Sequence, residues 1–450
     1  MAEQRNTSQT DLIYALEDTP GFTESTFAAI QHVLASFVGI ITPTLVIGGV
    51  LGLGAHIPYL ISMALIVSGV ATFIQARRTL GIGAGMLCVQ GTSFAFLSSI
   101  LAAGFIAKGK GGGPDEILSL IFTVCFFGAF IEIFLSQIIG KLKNVVTPLV
   151  TGIVITLIGM SLIKVGMTDL AGGFKAKDLG SVENLMLGGT VLLVVVVMNQ
   201  MKNQWLRISS IAIGLIVGFV IAMMMGKIDF SNLASLPAVS IPVPFKFGFS
   251  FDFTAFLPIA LIYVITAIET TGDITANCVI SGQEIKGQNY RNRVKGGVLA
   301  DGVNSLIAAT LNTFPNTTFS QNNGVIQLTG IASRHVGYFI AVILIILGFF
   351  PIIGGVLQNM PKPVLGGATL VMFATVAAAG IKILKHVELN RRNMLIIAVS
   401  FGLGLGVMMV PEVISQFPKV AQNIFGSPIT MGGLSAIILN LIMPKHSSNS

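Results

Sequence analysis

The chain has 450 residues, of which 53% are hydrophobic and only 10% charged, with a mean hydropathy of +0.86. Soluble domains carry about 25% charged residues, so this composition excludes an ordinary soluble enzyme or nucleic-acid-binding module despite a formal net charge of +7. What remains is a polytopic membrane protein whose solvent is lipid, and the 51 glycines suit close helix contacts in a bilayer.

Apolar segments fall at 26–51, 57–76, 82–106, 117–139, 145–165, 185–201, 208–226, 254–280, 297–312, 313–330, 336–359, 363–382, 393–411 and 427–444. Most approach the roughly 20 residues that cross a bilayer as a helix. They predict an all-α polytopic membrane protein with fourteen transmembrane segments. The third and tenth are interrupted. Gly85 to Phe94 reads as a strand, a glycine hinge and then a half-helix capped by Thr92 or Ser93. Pro315 to Ser320 is β-branched and aromatic, and Phe314, preceding a proline, avoids the α region. Gln321 to Gly330 then reads as a short helix that Ser320 or Asn322 can cap. Non-helical backbone at membrane depth is tolerated only where protein or a water-filled cavity surrounds it. The two interrupted segments correspond if the chain is two halves of seven, and seven being odd, the second half runs inverted. A 7+7 inverted repeat with broken helices is the pattern of secondary transporters.

Orientation follows from the basic residues. With the N-terminus in the cytoplasm, the inner loops hold every arginine, from Arg5, Arg77 and Arg78 to Arg391 and Arg392, together with Lys143 and Lys445. Both termini then lie inside. The longest outer loops are 165–184 and 227–253, and the second is expected to add a small strand or cap.

Ionisable groups at membrane depth are costly, and each is a functional hypothesis. Glu269 and Asp273 lie one helical turn apart in the eighth segment, Asp301 in the ninth, His32 in the first and Glu132 in the fourth. A buried carboxylate such as Glu269 accepts two neighbouring N–H groups, which suits the edge of a heterocyclic base. The Gln321 amide offers one donor and one acceptor side by side. Phe94 offers a ring on which a flat base stacks, and Gly324 lets backbones approach closely. Cys88, Cys125 and Cys278 lie in or beside apolar segments without metal spacing and read as small core residues. Glu132 belongs to no motif.

The run Gln321-Asn322-Asn323-Gly324-Val325-Ile326-Gln327-Leu328-Thr329-Gly330 resembles the signature of the nucleobase–ascorbate transporters, also called nucleobase:cation symporter 2. That signature is Gln or Glu, Asn, any residue, Gly, four further residues, Thr, and a basic residue or Gly. The resemblance extends from the Gln31-His32 pair to the last segment and is to the bacterial purine branch, the xanthine permeases. It implies substrate binding by Glu269, Gln321, Phe94 and Ser93. It implies support or coupling by His32, Asp273, Asp301, Asn322, Gly324 and Thr329. Within that set, Asp273 orients or caps, Asn322 holds the site or caps, and His32 bonds to the eighth segment or is a satisfied core histidine. Asp301 couples a proton or locks the core.

The resemblance further implies a core domain (26–139 and 254–360, segments 1–4 and 8–11) moving against a gate domain (140–253 and 361–444, segments 5–7 and 12–14). A cytoplasmic segment 1–25 and tail 445–450 flank them. The implied function is import of a purine nucleobase, xanthine first and urate second, by proton symport across the inner (plasma) membrane, as a homodimer without cofactor, metal or nucleic acid. No Gly-x-x-x-x-Gly-Lys-Ser/Thr loop occurs, so a gradient rather than ATP drives it, and no catalytic constellation marks an enzyme. The alternatives are a symporter for uracil, another nucleobase or ascorbate, and a sulfate-permease-like anion transporter of the same fold. An ionised Glu269 weighs against the anion.

Overall fold

The computed structural model describes residues 12–141, 145, 147–174 and 176–444. Arg5, Lys143, Lys445 and the tail 445–450 lie outside the described residues, as does 1–11 of the N-terminal segment. The chain is mostly helical. In order it runs α1 (Phe22–Leu51), α2 (Ile57–Arg77), β1 (Gln90–Thr92), α3 (Leu97–Gly109), α4 (Pro114–Ile138), α5 (Pro148–Leu170), α6 (Val182–Asn199), α7 (Gln204–Ile208) and α8 (Ser210–Met224). The second half holds α9 (Phe253–Ile280), α10 (Gly287–Thr310), β2 (Asn316–Thr318), α11 (Ser320–Thr329), α12 (Val336–Gly348), α13 (Pro351–Gln358), α14 (Lys362–Leu384), α15 (Arg391–Met409), α16 (Lys419–Phe425) and α17 (Pro428–Ile442). Eight of the described helices are long and apolar enough to cross a membrane by themselves.

Local chemistry sets the boundaries. Asp252 caps α9 by accepting from Thr254 N at 2.7 Å and Ala255 N at 3.0 Å, and Asn390 caps α15 by accepting from Asn393 N at 2.9 Å. Pro114, Pro148 and Pro428 open their helices, where the missing N–H costs nothing. The segment expected as one span over 336–359 is instead bent by 73° between α12 and α13. Phe350, preceding Pro351, is extended (φ −104°, ψ 94°), which stops α12.

Packing divides the helices into two groups. α2 packs on α12 and α10, and α4 on α10 and α9. Separately, α5 packs on α14, α6 on α8 and α14, and α15 on α17. The α5–α14 seam is the closest. A Cβ on Gly159 would lie 2.2 Å from Ala377 N, and one on Gly366 would lie 2.0 Å from Leu170 N. Backbones meet here because glycine removes the side chains between them.

Between the groups of residues that break the helical pattern, β1 and β2 pair antiparallel, with Gln90 opposite Thr318, Gly91 opposite Thr317 and Thr92 opposite Asn316. The expected strand at 315–320 is thus found at Asn316–Thr318. In the third segment the expected order is corrected: the strand lies at 90–92, so Gly91 sits inside it rather than at a hinge before a helix. Gly91 is required because Phe319 lies across it; a Cβ there would be 2.3 Å from the ring. The loop at 227–253 contributes no strand among its described residues but does act as a cap: Ser240 N donates to Phe349 O and Phe245 N to Thr310 O, each at 2.8 Å.

The described part of the N-terminal segment is bonded to the loop after α11. Ile13 N and Tyr14 N donate to Gly330 O, Ala332 N to Tyr14 O and Arg334 N to Leu16 O. Arg334 pairs with Glu17 at 2.7 Å, and Leu16 is 2% exposed. This strip clips the loop that follows α11.

Gly159→Val forces a branched side chain into the Ala377 backbone, and overpacking of this kind costs about 1–3 kcal/mol. We expect a lower Tm and less monodisperse protein in detergent, measured by thermal unfolding and size exclusion. Gly189→Ala, on a face with nothing within 4 Å of the new Cβ, serves as control and should be unchanged.

Candidate functional site

Asp301 is the hub. It is fully buried and accepts from Gln75 Nε2 of α2 at 2.7 Å, from Thr270 Oγ1 of α9 at 2.5 Å and from Thr318 N of β2 at 3.3 Å. Thr317 Oγ1 adds a longer bond at 3.4 Å. One carboxylate thereby ties two helices and a strand to α10. Gln75 extends the tie, donating also to Gly297 O at 3.0 Å and accepting from Ala84 N at 2.9 Å. Gln75 is absent from the expected site, and the available signal was a lone amide in an otherwise apolar segment.

Asp273, one turn beyond Glu269 on α9, accepts from Ser320 Oγ at 2.6 Å, and its backbone carbonyl accepts from Asn323 Nδ2 at 3.3 Å. Asn322 and Asn277 both donate to Leu87 O, at 2.5 and 2.8 Å. The third segment is thus bonded to α9 and α11 at one carbonyl. These bonds correct the capping expectation. Phe319 occupies the N-cap of α11 without a side-chain bond, because Ser320 turns to Asp273 and Asn322 to Leu87. Likewise Ser93 precedes a turn at Phe94–Phe96 without capping it, and Thr92 Oγ1 makes no bond.

His32 is fully buried, and neither ring nitrogen has a well-aligned hydrogen bond. Its polar neighbour is Asn322 of α11, not a residue of the eighth segment as expected. Gly324 is a second correction: no atom lies within 4 Å of where its Cβ would be, so no close backbone approach requires it. Thr329 Oγ1 donates to Val325 O at 2.9 Å and accepts from Ile331 N at 3.2 Å, which finishes α11 beside Gly330 in the left-handed region (φ 69°).

The four expected substrate residues are not bonded to one another. They flank the strand crossing. Glu269 is 8% exposed with Oε2 unpartnered, and Ser93 Oγ is also unpartnered. Gln321 is half-buried, next to the Ser320 that reaches Asp273. Phe94 stacks edge-on against Phe373 of α14, centroids 5.2 Å apart, and so touches the other helix group. The elements carrying them are in mutual contact: α9 with the Phe94–Phe96 turn and α11, and α11 with α14. A narrow crevice in this region is lined by Cys88, Asp273, Asn277, Thr318, Asn322 and Asn323 rather than by Glu269 or Gln321. Among the described residues no cluster of His, Cys, Asp and Glu could hold a metal ion. The arrangement offers buried acceptors and amide groups around a break in the bundle, which is chemistry for binding a polar molecule at depth.

Residues 23–413 match the profile described as a permease family. The chain belongs to that family, the nucleobase–ascorbate transporters, and is a multi-pass membrane transporter rather than an enzyme. It is 46% identical over 443 residues to the xanthine permease XanQ of Escherichia coli K12, covering 98% of this chain and 95% of the relative. It is 43% identical over 445 residues to the xanthine permease XanP of the same strain, covering 98% and 96%. The fold is similar to the transmembrane domain of a cyanobacterium bicarbonate transporter, BicA (TM-score 0.57, 15% identity, covering 91% of this chain and 99% of that one). It is also similar to the murine solute carrier 26 family member A9 anion transporter in the inward-facing state (TM-score 0.62, 11% identity, covering 95% and 69%).

Asp301→Asn places an amide donor against Gln75 Nε2 or against Thr270 and Thr318 N, and Gln75 cannot flip without losing Ala84 N. A buried donor left unpaired costs about 1–3 kcal/mol. We expect a lower Tm in detergent together with reduced uptake. An unaltered melting curve and full uptake would show that Asp301 does not fasten the crossing.

Proposed function

We propose that the protein imports a purine nucleobase, xanthine with urate as the second oxopurine, by proton symport. The observation that carries this reading is 46% and 43% identity to two xanthine permeases across 98% of the chain. The intact signature from Gln321 to Gly330 agrees with it.

In this reading Glu269 accepts N–H groups of the base, and Gln321 pairs with an adjacent N–H and C=O. Ser93 contributes its unpartnered hydroxyl, and Phe94 closes one face. Asp273, Asp301, Asn322 and His32 hold the strand crossing that presents them, while Gly324 and Thr329 shape and end α11. The base sits where the two helix groups meet. The two groups correspond to a core domain (26–139 and 254–360) and a gate domain (140–253 and 361–444), and their relative movement gives alternating access. The denser packing within α2, α4, α10 and α12 and within α5, α6, α8, α14, α15 and α17 than between them, where α9 meets α5 and α17, supports this division. A cavity of about 290 Å³ lies on the seam between α1 and α14, lined by Leu45, Gly49, Gln358, Lys362 and Leu365, and fits a passage from the outer side.

We read the chain as fourteen membrane segments in a 7+7 inverted repeat, with the third and tenth broken. The antiparallel register of β1 against β2 is what a two-fold axis in the membrane plane would produce. Both termini lie in the cytoplasm and the protein resides in the inner membrane, by the distribution of arginine. A homodimer would form through the gate domain, where α6 and α15 bury only 28% and 22% of their most apolar windows. Two solved relatives carry or belong with anions, but at 11% and 15% identity they speak only for the fold.

Uptake of labelled xanthine, uracil, ascorbate and sulfate into cells lacking their own permeases tests the proposal. We expect saturable xanthine uptake that a protonophore abolishes and sodium replacement leaves intact. The opposite ion dependence removes proton symport.

Selectivity rests on Gln321. Gln321→Glu replaces a donor by an acceptor, setting a lone pair against a carbonyl of the base. An unsatisfied buried polar group costs about 1–3 kcal/mol, which is about 5- to 150-fold in affinity. We expect the half-inhibition concentration of unlabelled xanthine to rise at least several-fold while surface expression persists. An unchanged value would assign Gln321 to helix structure alone.

A further inference from the structure

Glu132 stands outside the signature and outside the network that fastens the strands. It lies on α4, is 1% exposed, and neither carboxyl oxygen has a hydrogen-bond partner. The helix is pressed against its neighbours. A Cβ on Gly302 of α10 would fall 2.8 Å from Ile133 N and 3.3 Å from Ala129 O, and one on Gly128 would fall 2.4 Å from the Tyr263 ring of α9. Glu132 therefore occupies the seam of α4 with α9 and α10. Two hydroxyls lie nearby, and that of Thr266 is the polar neighbour of Glu132. Tyr263 Oη donates to Cys125 O at 2.9 Å, and Thr266 Oγ1 donates to Ile262 O and Tyr263 O at 3.2 Å each.

The ionisable groups that face Glu132 are Asp301 from α10 and Glu269 from α9, both acids. α3, which also packs on α4, presents none to it. These three carboxylates sit on adjacent helices and are buried, so they repel one another when charged. Asp301 is answered by donors from α2, α9 and β2, which suit an anion. Glu269 is turned to the proposed base. No cation faces Glu132, and its neutral polar neighbour is the Thr266 hydroxyl, which also bonds its own helix.

We propose that Glu132 carries the coupled proton, taking it from outer water onto its carboxylate and returning it to cytoplasmic water, with no other bond made or broken. This rests on the symport reading above. The side chain acts at a distance from the base, through the electrostatics it shares with Glu269 and Asp301, so a variant that removes its titration should separate coupling from binding.

The test uses the full-length protein in proteoliposomes. An inward gradient of about one pH unit supports about tenfold accumulation of labelled xanthine in a one-proton symporter. Exchange of internal unlabelled for external labelled xanthine is measured in parallel without a gradient. Glu132→Gln keeps the shape of the neutral acid. We expect its accumulation to fall to the equilibrium level while exchange stays within about threefold of wild type. Glu132→Asp, which still titrates, should retain accumulation. Wild-type accumulation by Glu132→Gln overturns the assignment. So does a parallel loss of exchange and accumulation in both variants, which marks a packing role. A wild type that ignores the pH gradient overturns the symport reading and this assignment together.

Discussion

Two stretches of extended backbone lie inside an apolar helical bundle, and every amide in them has to be bonded by the protein. A bare backbone group at membrane depth costs several kcal/mol, with no water to relieve it. β1 and β2 meet part of this demand by pairing with each other. The remainder is met one group at a time. Gln90 N donates to Thr72 Oγ1, Ser93 N to Pro315 O, Asn316 N to Ser305 Oγ, Thr318 N to Asp301 and Phe319 N to Val89 O. Polar residues that look misplaced in apolar helices, Thr72 and Gln75 in α2, Thr270 in α9, Asp301 and Ser305 in α10, are the acceptors and braces this crossing needs.

That constraint also explains the glycines around it. Phe319 covers the crossing from one side, and its ring lies against Gly91 of β1 and Gly39 of α1, where a Cβ would come within 2.3 and 2.8 Å of it. An aromatic lid over a strand pair demands small residues beneath it.

The strand at Asn316–Thr318 was legible in the sequence because its signals are local. Pro315 restricts Phe314, and the following Asn-Thr-Thr-Phe run favours a strand over a helix. The same rule applied to Phe350 and Pro351 would have revealed the bend between α12 and α13. Capping was not legible. A Ser or Asn at a helix start can bond its own backbone or a distant acceptor, and here Asp273, 47 residues from Ser320, and Leu87 O, 235 residues from Asn322, win the competition. Gln75 was missed for the same reason, since its partners lie 222 and 226 residues away. Gly324 shows the converse error: a glycine in a motif is not evidence of a tight backbone contact.

The fold is similar to that of anion carriers at 11–15% identity, which speaks for the fold and not for what is carried. A fully deprotonated inorganic anion presents acceptors on every side and calls for donors. The groups flanking this crossing are of mixed sense: a carboxylate with an unpartnered oxygen at Glu269, an amide with both faces at Gln321 and a free hydroxyl at Ser93. In the proposed reading such a set meets a molecule whose own edge alternates N–H and C=O. Phe94 supplies a flat apolar surface at the same place, which a planar heterocycle can use and a hydrated anion cannot. In the proposed reading, donors and acceptors presented together beside the strand crossing are what suit this chain to a base.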